Sequence, residues 1–189
     1  MQPNITLLGM IDKDEKILWA GKPNFKCFVL EAIFNPLLPF AVVWGLFDGF
    51  FISSVLKGPV KETPFVPLFF IGFFMLHLMP VWIYLGGVLF SVLKYKHTDF
   101  IITNKGVYTS GGMFSQTFDH KKFSDIHHIQ IHRGLFDQWI GVGDVIFSES
   151  GNVLPFPVNT KNNPFRGIIV CDIADYQHVY ELSKENTKA

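Results

Sequence analysis

Four histidines fall within thirteen residues, at positions 120, 127, 128 and 132. That density invites a metal reading, because zinc takes three or four converging side-chain ligands. On a strand, His128 and His132 point the same way but stand about 13 Å apart at 3.3 Å per residue, with Gln130 between them. A site would need His120 to reach across from a neighbouring strand. His120, His128 and His132 are therefore weak metal candidates, set against a polar strand face or a pH-sensing cluster. Two further ionisable groups, Asp48 and His77, lie inside long apolar runs. An acid there is a functional-site hypothesis by default. For Asp48 the options are pairing with a neighbouring helix, reaching the far interface, or a proton-relay role. For His77 the reading is an interhelical hydrogen bond. Gly141-Val142-Gly143 lacks the third glycine and the following helix of a dinucleotide loop. No nucleophile elbow or phosphate-binding loop is present, so we expect no catalytic residues, no cofactor and no enzyme. Cys27 and Cys171 form no Cys-x-x-Cys pair. Cys27 stands where palmitoylation occurs, or is simply a small interfacial residue.

The elements that position these groups follow from where the apolar residues fall. Phe28 to Leu56 contains only two formal charges, Glu31 and Asp48, and Pro64 to Leu93 contains none. Each run exceeds the ~20 residues that carry a helix through a bilayer core. We expect two membrane helices over 28–93, joined by the short polar stretch 57–63 into a hairpin. Asn35-Pro36, Pro39 and Pro80 interrupt the runs, which places the start of the first true span near Pro39. Lys13, Lys16, Lys22 and Lys26 precede the hairpin and Lys94, Lys96 and Lys105 follow it, against Lys57 and Lys61 in the loop. This asymmetry puts both termini in the cytoplasm of a cell with the hairpin in the plasma membrane. Acidic residues Asp12, Asp14 and Glu15 precede the first run, which argues against a cleaved signal peptide. Residues 1–27 form a juxtamembrane segment. Within it, Trp19, Lys22 and Pro23 read as an interfacial anchor, or pack against the following domain.

The chain carries 16 basic and 16 acidic residues. The zero balance argues against nucleic acid as a partner. Residues 94–184 carry short strands with close turn signals. Strands are expected at 97–103, 107–110, 114–118, 126–132, 143–148, 153–156 and 167–171. Asn104-Lys105-Gly106 is expected to turn through positive φ. Ile126 has the wrong parity for Ile129 and Ile131, so a bulge is expected near His127-His128. Asp172 is expected to cap a terminal helix with the stripe Ile173, Tyr176, Val179 and Tyr180, ahead of a polar tail, 185–189.

Three stretches carry a family resemblance: Glu15 to Pro23, Phe100 to Tyr108, and Ile126 to Gly134 followed by Gly141 to Val145. They resemble the bacterial membrane-anchored PH-like (pleckstrin-homology-like) domain family. The resemblance implies a membrane α-helical hairpin with an α+β or all-β PH-like domain, a seven-stranded sandwich or barrel capped by a C-terminal helix. It also implies a membrane-tethered, non-enzymatic domain that often self-associates. The leading reading is a scaffold or protein-interaction module at the cytoplasmic membrane face, with the lipid bilayer and a second copy or another membrane protein as partners. The alternatives are a sensor of anionic lipid headgroups, with Lys94, Lys96, Lys105, Lys121, Lys122 and Arg133 as contacts, or an accessory subunit of a membrane enzyme or transport system.

Overall fold

The computed structural model describes residues 5–57, 65–113, 115–149 and 167–187. They contain helices α1 (Ile5–Leu8), α2 (Phe25–Ile33), α3 (Leu37–Lys57), α4 (Phe65–His77), α5 (Met79–Tyr95), α6 (Leu135–Ile140) and α7 (Tyr176–Thr187). Strands are β1 (Ile17–Gly21), β2 (Asp99–Thr103), β3 (Gly106–Gly111), β4 (Thr117–Lys122), β5 (His128–His132), β6 (Gly143–Ser148) and β7 (Ile168–Ile173). The chain divides into two compact units. One comprises Met1–Leu30 with Val92–Ala189, and the other Glu31–Ser91.

In the first unit, β1-β2-β3-β4 make one antiparallel sheet and β5-β6-β7 another. Both feed one core. Phe100, Ile102 and Val107 come from the first sheet, Val145, Phe147, Ile168 and Val170 from the second, and Val179 from α7. The seven described strands do not close into a barrel; the expected sandwich or barrel is two separate sheets with a helix. The count of seven matches the expectation through different members. The expected strand at 153–156 lies outside the described residues, and β1 takes a place that no expected strand held.

β1 belongs to the segment before the apolar runs. It pairs antiparallel with β2, Trp19 against Ile102 and Gly21 against Phe100. Of the two placements open for this segment, the structure shows packing on the domain. Trp19 lies against the shared core, and Pro23 is buried. A Cβ on Gly21 would stand 2.5 Å from the Trp19 ring, so the indole folds over a residue without a side chain. Upstream, Leu7 is fully buried with Ile101 and Tyr108 on the opposite face of the first sheet. β2 is consequently covered on both faces, and all five of its residues are buried.

The turn between β2 and β3 works differently from the expectation. Among the described residues, positive φ outside glycine occurs only at Asp172, so Asn104 does not use it. Thr103 Oγ1 accepts from the amides of Lys105 and Gly106 and holds the turn. Asn104 Oδ1 accepts from Lys16 N at 2.8 Å, and Asn104 N donates back to Lys16 O, which stitches the start of β1 to the hairpin. Gly106 is required by proximity, because a Cβ there would run into the Lys121 carbonyl. Nor does a bulge reset the parity at Ile126. The 3-10 turn Phe123–Asp125 does so, and β5 then pairs regularly with β6. Asp172 is a β7 residue at φ 54° and not a helix cap. The first α7 bond runs from Val179 N to Asp175 O.

The second unit opens with the last residues of α2, which is separated from α3 at Phe34–Pro36. Asn35 Oδ1 accepts from Leu37 N at 2.8 Å and so caps the new helix. Leu37–Val55 is long and apolar enough to cross a membrane, and 11% of it is buried within the fold. Leu68–His77 and Met79–Tyr95 pass the same test together as a pair bent by 56°. Pro80 explains the bend, since it lacks an N–H and its ring crowds the preceding turn.

Because β1 completes the first sheet, a fragment of residues 97–189 leaves the β2 edge bare and the core uncovered at Trp19. We expect it to aggregate, and fusion of residues 5–24 to its N-terminus to restore a cooperative melt. Trp19→Ala in the full chain is expected to cost about 3 kcal/mol, the lower end for truncating a large aromatic, read from thermal unfolding.

Candidate functional site

Two arrangements gather chemistry-bearing side chains, one in each unit. In the first unit the centre is α6, a helix of six residues bracketed by glycines. Asp137 is buried at its third position. Its Oδ2 accepts from Gly134 N at 2.7 Å, and its Oδ1 receives Cys27 Sγ at 3.2 Å. Gly141 ends the helix at φ 85°, donating to Asp137 O. Arg133 Nε bonds Val142 O at 2.8 Å, and its guanidinium lies over the Tyr176 ring at 5.1 Å. α6 is thus fixed to the first turn of α2 and to the sheet behind it. That fixation turns Leu135 and Trp139, one helical turn apart, outward. They are 77% and 76% exposed.

Cys27 is fully buried. Burial, reinforced by the carboxylates of Asp137 and Asp172 beside it, pushes its thiol far above the ordinary range. It is a packed hydrogen-bond donor, and its burial removes it from the acylation chemistry that its sequence position suggested. Nearby, His132 Nδ1 lies 3.5 Å from Asp144 Oδ2. Burial raises the Asp144 carboxyl above its usual value, partly offset by the Asp172 amide bonded to it at 2.8 Å.

In the second unit, Asp48 and His77 meet. Asp48 Oδ1 is 2.8 Å from His77 Nδ1, and Asp48 is buried. His77 stacks between Trp44 and Phe73, each at 5.1 Å. The bend at Pro80 makes this possible. Val81 N turns to Leu78 O, leaving the His77 carbonyl for Trp44 Nε1 at 2.8 Å, while Trp82 Nε1 reaches Met75 O at 3.2 Å. Indole donors thus replace backbone donors at the break.

Residues 34–186 match the family described as Bacterial PH domain. The chain belongs to the bacterial PH domain family. Neither the curated proteins nor the solved structures give a significant match. As a bacterial PH domain it is a protein-interaction or lipid-binding module, of a kind that is generally non-catalytic.

In this PH-like unit, the cations expected at lipid do not converge. Lys105 pairs with Asp14. Lys121 is largely buried and pairs with Glu149 at 2.9 Å. Arg133 is taken up by α6 and Tyr176. Lys122 is exposed on β4, and Lys94 and Lys96 sit at and just after the end of α5. Lys22 bridges Asp99 at 3.3 Å and Lys96 O. The histidines separate as well. His120 stacks on Tyr108 in the first sheet at 4.1 Å, and His128 and His132 lie on β5 in the second. Among the described residues, His132 shares a close ligand group with Asp137 and Asp144, and neither His120 nor His128 joins it.

Sequence reasoning missed α6. Its signals were present: Gly134 and Gly141 at the ends, Asp137 in the first turn, and Leu135 and Trp139 four apart. The burial of Cys27 yields a direct check. With iodoacetamide at pH 8.5, the native protein should leave Cys27 unmodified over hours, since almost no thiolate forms and no path reaches it. Unfolding in guanidinium should release it. Mass mapping of alkylated peptides reads the result, and fast native labelling of Cys27 would contradict the packing.

Proposed function

We propose that this chain is a non-enzymatic interaction module tethered at the cytoplasmic face of the plasma membrane, which assembles with a second copy of itself. The hairpin crosses the bilayer twice, α3 forming one span and the bent α4–α5 pair the other, with both termini cytoplasmic. The outward apolar surface of α3 supports the span: Val43, Leu46 and Phe50 are each exposed by two thirds or more. A core helix of a soluble protein would hide such residues. The lysine asymmetry across the apolar runs supports the orientation.

The observation that carries the interaction role is the Leu135–Trp139 pair on α6. A rigid Trp beside a Leu, both open on a helix tied down from behind, is the kind of anchor on which interfaces concentrate their energy. Headgroup sensing finds less support, because Lys105, Lys121 and Arg133 have partners within the fold.

The test combines assembly and lipid readouts. The full chain in a neutral detergent is expected to sediment as a defined oligomer. Leu135→Ser with Trp139→Ser should weaken association at least tenfold and leave thermal stability unchanged, since neither side chain is buried. Reconstituted wild type and variant should show equal protection from protease in sealed vesicles, which reads the tether separately. A wild-type monomer across several detergents would sink the assembly reading.

A further inference from the structure

Three side chains around α6 come from three different elements and converge. His132 ends β5, Asp137 is the third residue of α6, and Asp144 is the second residue of β6. Each offers one ligand atom, and those atoms all lie within 4.8 Å of one another. A point among three atoms so spaced is no more than about 2.8 Å from each. Side-chain movements of under ~1 Å reduce that to the ~2.0–2.2 Å of zinc–nitrogen and zinc–oxygen bonds.

The His132–Asp144 spacing fits a shared ion better than a direct bond. Nδ1 and Oδ2 stand 3.5 Å apart. A charge-assisted N–H···O bond closes to about 2.7–2.9 Å. Two atoms held by one tetrahedral zinc at about 2.05 Å stand ~3.3 Å apart. Both carboxylates are oriented from behind, as ligating carboxylates are. Asp137 accepts from Gly134 N and from Cys27 Sγ. Asp144 Oδ1 accepts from Asp172 N at 2.8 Å, which turns Oδ2 to His132. Cys27 serves here as a donor to Asp137 and not as a ligand. Arg133, next to His132, aims its donors at the carbonyl oxygens of Val142 and Asp137 and lays its guanidinium over Tyr176, so it bridges neither carboxylate. Asp137 is 1% exposed, whereas the His132 and Asp144 side chains are 39% and 19% exposed. An ion enters from their side, where water completes its coordination.

We propose that His132, Asp137 and Asp144 form a zinc site that clasps α6 to β5 and β6. The imidazole selects zinc over magnesium and calcium, which take shells of oxygen. This inference goes beyond the interaction role given to α6, and it holds whether or not Leu135 and Trp139 face a second copy.

The untagged full chain in a neutral detergent, stripped with chelator and dialysed, is titrated calorimetrically with zinc chloride and with magnesium chloride. Zinc should bind at one per chain, and magnesium should give no saturable heat. His132→Ala should lower zinc affinity at least tenfold, and His120→Ala with His128→Ala should leave it unchanged. Where His132→Ala fails to fold, as judged by circular dichroism and size exclusion, Asp144→Asn decides. Its amide oxygen can still accept from Asp172 N, and zinc affinity should again fall at least tenfold. The cobalt(II) form should show no thiolate charge-transfer band. No zinc binding by the folded wild type, undiminished binding by either folded ligand variant, loss of binding in the His120–His128 variant, or a thiolate band would overturn the proposal.

Discussion

The pairing of β1 with β2 is the constraint on which the rest of this structure depends. The two strands lie far apart in sequence, and the whole apolar insertion is threaded between them. Closing so long a loop is entropically unfavourable, and the closure is held by many modest interactions. Lys16 and Asn104 exchange backbone and side-chain bonds, Glu15 accepts from the Tyr108 hydroxyl at 3.1 Å, Lys22 bridges Asp99, and Asn24 N reaches Asp172 O at 2.7 Å. Burial with Glu15 alongside pushes the Tyr108 hydroxyl well above its ordinary value, so it stays a donor at any physiological pH. The consequence for function is geometric. Both ends of the insertion are anchored in one sheet-bearing unit, so a module of this kind is fastened to its helices at two points.

The second unit is governed by one proline. The break at Pro80 frees backbone carbonyls that an apolar medium would leave unsatisfied. Trp44 and Trp82 supply indole donors to them. Trp44 at the same time fixes His77, and His77 fixes Asp48. A polar pair surrounded by Phe side chains therefore follows from the way the bend is repaired. Phe70, Phe73 and Phe74 of α4 lie beside Phe47 and Phe51 of α3, with a groove between them.

The helices were legible because apolar runs and their interruptions are local signals. Asn35-Pro36 and Pro80 act through their own backbone chemistry, and the breaks fall where they stand. β2, β3, β6 and β7 were legible for a related reason, being short β-branched runs between turn residues. β1 was not. Trp19 suits a headgroup layer and a protein core equally well, and only the distant β2 edge distinguishes the two. α6 was hidden by its length, since six residues give no helical period to read. Asp48 and His77 each read as a group needing an interhelical partner. That they choose each other depends on the stagger of two helices, which brings together residues 29 apart in the chain. The histidines show the reverse case. Density in sequence placed His120 near His128 and His132, but the chain divides them between two sheets.

Hydrogen exchange, followed by mass spectrometry on the full chain, tests the central claim most directly. If β1 is a sheet strand, amides in residues 17–21 should exchange with protection close to that of β2, far slower than a solvated segment. Their protection should collapse in step with β2 when Gly21→Val displaces Trp19. Exchange of residues 17–21 at unstructured rates, with β2 still protected, would contradict it and return this segment to a free arm before the hairpin.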